Sequence, residues 1–339
     1  MKSNYRYIVK AFMAMAVIAG TTSCDDFLDR EPMSSISPET YYSTAAQLEA
    51  NLNDEYPNVL PSFGQWTYGI FGEDKGTDNQ IEVNANDRYT QDRWKVPHSE
   101  SDNWKFERIY RINFFLSEAL PKFGEDMSGS QNTISGSVAT IKHYIGEMYF
   151  LRAYEYFKKL QLFGDFPIID QPLADEMEAL REASKRFPRN EVARFIISDL
   201  DKAYAYMSDV DMATTRINKD AAMLVKSRVA LFEATWLQNF KGTAFVPGGE
   251  GWPGASLHNN YQYPSGNLDN EVKYFLEQAV EASKLVADKY KGNLTENTGV
   301  LQQSADDPSN PYFDMFAQED LSDVKEVLLW RQYARGLST

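Results

Sequence analysis

Six aromatic residues lie in segments without helical periodicity, and their chemistry suits a ligand site. They are Trp66, Tyr68, Trp94, Trp252, Tyr261 and Tyr263. The negative face of an indole or phenol ring packs on the C–H face of a sugar, while nearby amide and carboxylate groups can hydrogen-bond the sugar hydroxyls. Asparagines stand close to these rings in the sequence, at Asn79, Asn84, Asn86, Asn259 and Asn260. The six rings are therefore candidate glycan-binding residues; the alternative for each is that it only fixes its own loop.

Catalytic chemistry has few residues to draw on. The chain has three histidines, at positions 98, 143 and 258, and no H-E-x-x-H, G-x-S-x-G or P-loop spacing. The minimum parts of a zinc protease, a nucleophile elbow and a nucleotide site are thus missing from the sequence. Carboxylates are abundant, with 49 acidic residues, but the separation that a glycosidase needs cannot be derived from sequence. We expect a binding protein and not an enzyme, without a cofactor, and leave a structural calcium ion open.

The N-terminal segment predicts secretion and a lipid anchor. Basic residues within the first ten positions precede an apolar run, Ala11 to Gly20, that is too short to span a bilayer, and small residues follow it. Cys24, the only cysteine, stands where a bacterial lipoprotein signal places its acylated residue. Acyl chains, at about 0.8 kcal/mol per buried CH₂, would hold a soluble domain on a membrane. We predict a signal peptide over residues 1–23 and a tether over 24–37; the alternative is a plain signal followed by a chance cysteine.

The charge balance argues against nucleic acid as a partner. The formal net charge is -15, from 34 basic and 49 acidic residues. Removing the predicted signal peptide takes away three basic residues and no acidic one, which leaves 31 against 49, or -18. Such a field repels phosphate backbones, so we expect no nucleic-acid binding.

The stretch from Val138 to Asp170 is the element around which the other segments must pack. Apolar or aromatic residues recur in it at steps of three and four, which places them on one side of an α-helix. These residues are Ile141, Tyr144, Ile145, Met148, Leu151, Tyr154, Phe157 and Leu160. A second apolar stripe runs beside the first, so other helices must cover most of this one. Gly164 can cap the helix and Pro167 cannot continue it, which predicts a central helix over residues 138–163.

Four further helices are predicted from the same spacing of apolar residues, over residues 102–121, 189–209, 218–240 and 268–290. Paired as hairpins, they indicate a mainly α-helical, tetratricopeptide-like scaffold over residues 38–339, with long irregular loops and few short strands. A nonrepeating helical bundle is the alternative. Trp104 and Trp236 fall on apolar stripes and are predicted to lie in the core. The run Glu326 to Tyr333 has a strand-like pattern.

Two motifs carry a resemblance to a known family. The first comprises Glu147, Tyr149 to Tyr154 and Phe157, followed by the Leu162-Phe163-Gly164-Asp165-Phe166-Pro167 turn. It resembles the signature helix and turn of the SusD/RagB family, which are glycan-binding lipoproteins of the outer surface of Bacteroidetes cells. The second motif, in the segment Asn218 to Trp236, is similar to another helix of the same family.

The resemblance implies a function and a partner. It implies a glycan-binding lipoprotein, anchored through Cys24 in the outer membrane and facing the cell exterior, that delivers oligosaccharide or polysaccharide to a SusC-type TonB-dependent transporter. Since family members continue well past this point, we also expect a C-terminal part to be missing. A helical scaffold that binds only peptides or proteins remains the alternative function.

Overall fold

The structure, a computed structural model, describes residues 41–61, 80, 90–91, 103–124, 126–208, 212–301, 303–304 and 306–333. The predicted signal peptide and tether, with Cys24, lie outside the described residues, as do Trp66, Tyr68 and Trp94. The described residues from Tyr42 to Tyr333 belong to one compact unit. None of its described helices combines the length and hydrophobicity that crossing a membrane requires.

The described residues are mainly α-helical, which confirms the predicted fold class. The helices are α1 (Ala45–Val59), α2 (Glu107–Phe123), α3 (Val138–Phe163), α4 (Met177–Ala183), α5 (Arg189–Tyr206), α6 (Lys219–Asn239), α7 (Leu268–Tyr290) and α8 (Pro311–Met315), with a 3₁₀ turn at Pro253–Ser256. Where few short strands were expected, two isolated bridges join described residues, Thr44 with Ser135 and Phe166 with Phe187.

Helix α3 is the central element and has the range that the sequence predicts. The hydroxyl of Ser137 accepts a hydrogen bond from the backbone N–H of Thr140 at 3.4 Å and caps the first turn. At the other end Gly164 adopts a φ of +66°, and its N–H donates to Leu160 at 2.9 Å. A side chain would be strained at this φ, so glycine suits the turn. Nearly every residue between these ends is at least partly buried, because α1, α2, α5 and α6 all pack on α3.

The long helices pack on one another in the order of the chain: α3 on α5, α5 on α6, and α6 on α7. Ion pairs show that neighbours are antiparallel. Arg189, at the start of α5, pairs with Glu233 near the end of α6, with 2.9 Å between Nη2 and Oε2. Lys289, at the end of α7, pairs with Asp220 at the start of α6 at 2.6 Å. Antiparallel helices that contact mainly their chain neighbours are the arrangement of helical-repeat scaffolds.

Helices α3 and α5 approach each other closely at Gly146. A Cβ atom at this glycine would lie 2.8 Å from the backbone nitrogen of Met207 and 2.9 Å from the carbonyl oxygen of Ala203. Both atoms belong to the backbone at the end of α5, so they cannot simply rotate away. The close packing of the two helices therefore depends on the missing side chain.

A buried arginine joins the central helix to the segment that follows its turn. Arg152 is 3% exposed and forms a double hydrogen bond with Asp199 of α5, at 2.6 and 2.8 Å. Its Nη1 group also donates to Asn113 of α2 at 2.9 Å and to the carbonyl of Asp170 at 3.0 Å. Because a buried guanidinium must be fully partnered, this network fixes three helices and the chain after Pro167 in one arrangement.

The structure corrects several predicted boundaries. Helix α2 begins at Glu107 and not at residue 102, because Trp104 and Phe106 instead pack their rings on Phe166, at centroid distances of 4.9 and 5.2 Å. Helix α5 ends at Tyr206 and not at residue 209. The other two predicted ranges agree with α6 and α7 to within one residue.

The run Glu326 to Tyr333 is not a strand, contrary to its pattern. Trp330 instead lies against the loop before α6. Its backbone N–H donates to the carbonyl of Thr214 at 3.1 Å, and its indole N–H donates to the hydroxyl of the same residue at 2.9 Å. Trp330 is therefore held by a loop and not by a neighbouring strand.

Candidate functional site

A cleft of about 500 Å³ lies where the central helix ends. The end of α3 and its turn form one side, the start of α5 and the end of α6 form the back, and the loop between α6 and α7 forms the other side. The lining residues are Gln161, Leu162, Phe163, Gly164, Asp165, Arg186, Arg189, Trp236, Ala244, Phe245, Trp252, Pro253, Gly254 and Leu257. The cleft thus combines several rings with two guanidinium groups.

Asp165 holds two walls of this cleft together. Its Oδ1 atom accepts the backbone N–H of Arg189 at 2.9 Å, and its Oδ2 atom accepts the indole N–H of Trp252 at 2.7 Å. The residue before α5 is Pro188, which has no side-chain acceptor, so Asp165 satisfies a free donor at this helix start. Burial raises the pKa of Asp165, although both hydrogen bonds act to lower it.

The back wall is a buried ion pair covered by an indole ring. The Nε and Nη2 groups of Arg189 donate to the carboxylate of Glu233 at 2.9 to 3.1 Å. The guanidinium carbon lies 4.0 Å from the centroid of the Trp236 ring. Burial raises the pKa of Glu233, even though Arg189 favours its charged form. Glu233 is fully buried, and Arg189 is the member of the pair that lines the cleft.

Two rings that the sequence analysis did not propose give the cleft its apolar surface. Phe245 is 61% exposed, and its carbonyl accepts the indole N–H of Trp236 at 3.0 Å. The core prediction for Trp236 is therefore wrong: this ring is half-buried and lines the cleft. Trp104 was also predicted in the core and is half-buried, in the aromatic cluster beneath Arg186. The apolar spacing along α6 predicted a core position for Trp236, because this spacing does not show that the helix ends beside a loop.

Of the six proposed rings, the structure describes three and places one of them in the cleft. Trp252 lines the cleft but is only 5% exposed. Tyr261 and Tyr263 pack behind it, with ring centroids 5.6 Å from Trp252 to Tyr261 and 5.1 Å between the tyrosines. Their hydroxyl groups donate to Asn190 and to the carbonyl of Pro247, and burial raises the pKa of both phenols. These two tyrosines hold the loop in place in this structure.

The two carboxylates at the cleft, those of Asp165 and Glu233, both accept hydrogen bonds from protein donors. Within the described part of the chain, no group of three or more His, Cys, Asp or Glu side chains is placed to hold a metal ion. His143, on the central helix, is 1% exposed and lies 3.0 Å from Glu147, remote from the cleft lining.

A second, smaller depression of about 350 Å³ lies between α5 and α7. It is lined by Met127, Arg194, Ile197, Ser198, Asp201, Lys202, Ala205 and Tyr274. Arg194 covers its one ring, with 3.7 Å between the guanidinium carbon and the Tyr274 centroid. Since this ring face is occupied, the depression is less suited to stacking than the cleft.

Comparison with known proteins gives one family. Residues 26–231 match the family model SusD-like_3, described as "Starch-binding associating with outer membrane". The chain is 25% identical over 253 residues to SusD-like protein P2 of Formosa agariphila, which covers 71% of this chain and 46% of the relative. It is 25% identical over 233 residues to SusD-like protein P25 of the same organism, covering 63% and 41%. The chain spans less than half the length of these relatives.

Solved structures of similar proteins carry related names. A SusD-like protein from Bacteroides fragilis is 22% identical, with a TM-score of 0.43 over 62% of this chain and 39% of that one. A laminarin-binding SusD-like protein is 15% identical, with a TM-score of 0.37 over 66% and 35%.

Proposed function

The chain belongs to the SusD-like family, and from this premise we propose that it is a cell-surface protein that captures a glycan in the cleft at the end of α3. The family is described as starch-binding and associated with the outer membrane. The observation that carries the proposal for this chain is the cleft itself, in which the exposed ring of Phe245 and the half-buried ring of Trp236 stand beside hydrogen-bonding side chains.

The geometry suits a sugar for physical reasons. A cleft of about 500 Å³ lies within the usual size of small-molecule sites. The exposed ring face of Phe245 can pack on the C–H face of a pyranose, while the amide of Gln161 and the guanidinium of Arg186 can bind its hydroxyls. Arg189 and Asp165 fix the surrounding walls before any ligand arrives, which reduces the entropy lost on binding.

The proposal extends to an anchor and a partner. Acylation of Cys24 would hold the protein at the outer membrane, facing outwards. The bound glycan would then pass to a SusC-type TonB-dependent transporter. Both parts rest on the family relation and on the sequence motifs. Trp66, Tyr68 and Trp94, which lie outside the described residues, remain candidates for further contacts with a long glycan.

The direct test is isothermal titration of the chain from Asp25 onward with a panel of neutral and acidic polysaccharides. We expect at least one to bind, and the Phe245→Ala variant to bind it about tenfold more weakly, because one stacking face is lost. Tyr312→Ala is the matched control, since this ring is also exposed but lies on α8. No binding to any polysaccharide of the panel, or an equal loss of affinity in both variants, would contradict glycan binding in the cleft.

The peptide-binding alternative has one observation in its favour. Leu162 and Leu257, at the rim of the cleft, are 58% and 53% exposed and would suit apolar side chains as well as sugars. Screening a peptide library for binding to the same chain separates the two functions. Peptides that compete with the bound glycan would place both ligands in one site, and peptides that bind where no glycan does would favour the alternative.

A further inference from the structure

Two arginines line the cleft, and each is stacked on an indole ring. The guanidinium carbon of Arg186 lies 4.6 Å from the centroid of Trp104, and that of Arg189 lies 4.0 Å from the centroid of Trp236. Stacking restricts the plane of a guanidinium group but leaves its edge free to donate hydrogen bonds. The cleft therefore has two cationic groups whose orientation is partly fixed in advance.

Both guanidinium groups keep donors that no protein acceptor uses. Arg189 donates from Nε and Nη2 to Glu233, and its Nη1 makes no hydrogen bond within the described part of the chain. The exposed side chain of Arg186 makes no hydrogen bond and no ion pair within 4 Å among the described residues, and its charge acts on the Asp165 carboxylate only at longer range. Its backbone is held, because the carbonyl lies 2.8 Å from Nε2 of His258.

The carboxylates near these arginines do not offset this surplus of donors at the cleft surface. Glu233 is fully buried behind Arg189, and each oxygen of Asp165 already accepts a hydrogen bond from the protein. Of the ionic side chains that line the cleft, Arg186 is exposed, whereas Asp165 is half-buried and Arg189 is buried. A neutral sugar uses donors and acceptors alike, whereas an anionic substituent uses only donors.

We propose that the cleft recognises the anionic substituent of an acidic glycan, a carboxylate or a sulfate, with Arg186 as the residue that selects it. The inference rests on the proposed function and names the ligand class of the same cleft. The negative net charge of the chain, -15, does not oppose this pairing at close range. At physiological ionic strength the Debye length is about 8 Å, so charges elsewhere on the surface are screened while the pair in the cleft is not.

An oligosaccharide array with matched pairs tests the inference on the purified chain. Each uronate-bearing chain is printed beside its methyl ester, and each sulfated chain beside its desulfated form. We expect the acidic member of a pair to bind about 10- to 100-fold more tightly than its neutral partner, as for one charge-assisted hydrogen-bonded contact. The uronate and sulfate arms show which of the two anions is preferred.

Arg186→Gln removes the charge but keeps an amide donor, and Arg181→Gln is its control. Arg181 has the same charge, is 75% exposed and lies on α4 outside the cleft lining, so both variants have the same net charge. We expect the preference for acidic glycans to be lost in Arg186→Gln and kept in Arg181→Gln.

Three outcomes would overturn the inference. Neutral glycans that bind as tightly as their acidic partners would contradict it and leave the proposed function standing. A preference for acidic glycans that survives in Arg186→Gln would contradict the role of Arg186. No binding to any glycan on the array would contradict the proposed function and the inference together.

Discussion

Replacing Asp165 by alanine should loosen the cleft and the fold together. The substitution removes two hydrogen bonds to a charged acceptor, from the backbone of Arg189 at 2.9 Å and from the indole of Trp252 at 2.7 Å. Such bonds contribute about 1.5–3 kcal/mol each, and the carboxylate's own burial cost offsets part of this sum. The indole N–H, on a side chain only 5% exposed, would also lose its acceptor. We therefore expect the free energy of unfolding to fall by about 2–4 kcal/mol.

Urea denaturation followed by tryptophan fluorescence measures this change. Asp269→Ala is the control, because Asp269 is 75% exposed and pairs with Lys241 at 2.6 Å on the surface. Exposed pairs of this kind contribute about 0–1 kcal/mol. Hydrogen exchange adds a local readout: residues 242–257 should exchange faster in Asp165→Ala than in the control. Equal stability of the two variants, with unchanged exchange in this loop, would refute the role that we assign to Asp165.

Three further substitutions test other parts of the structure. Gly146→Ala would place a Cβ atom 2.8 Å from the backbone of α5, and we expect the free energy of unfolding to fall by about 1–3 kcal/mol on denaturation. Glu271→Gln should have a lower free energy of unfolding than the wild type at pH 7, and this difference should decrease at acidic pH. Burial alone would raise the pKa of Glu271, but hydrogen bonds from Arg194, Asn190 and Ser265 outweigh burial and lower the pKa below 4.5. The ionised Glu271 side chain therefore stabilises the fold above pH 4.5. This stabilisation is lost as the pH falls through the pKa of the folded state. Cys24→Ala should abolish incorporation of labelled palmitate in a bacterial host.

The Gly146 and Glu271 predictions each have a matched control. Gly292→Ala should leave stability within about 0.5 kcal/mol, because no atom lies within 4 Å of its would-be Cβ. Glu277→Gln removes a charge that is 64% exposed and should show no comparable pH effect. Equal effects at the paired positions, or palmitate labelling that persists in Cys24→Ala, would contradict the corresponding argument.

The fold could be predicted in large part because its central helix has a strong and simple pattern. Apolar residues at steps of three and four, with Gly164 and Pro167 at the end, predicted a helix over the same residues that α3 occupies. The start of α2 could not be placed in the same way. A polar residue near position 102 is a plausible cap, but the rings of Trp104 and Phe106 gain more by packing on Phe166 than they would on the helix.

The cleft could be predicted only in outline. Loop aromatics suggested a ligand site, and Trp252 does line the cleft, although almost all of its ring is buried. Trp236 and Arg186 could not be recognised, because a helical pattern and a single basic residue do not show which ends of different helices meet. Asp165 was visible as part of a motif, but its role depends on donors 24 and 87 residues further along the chain.

The crystal structure of this protein with the oligosaccharide that binds it most tightly tests the central claim directly. We expect sugar density in the cleft at the end of α3, with one sugar ring against Phe245 and any acidic group within hydrogen-bond distance of Arg186. Sugar bound at another surface, with the cleft empty, would contradict it.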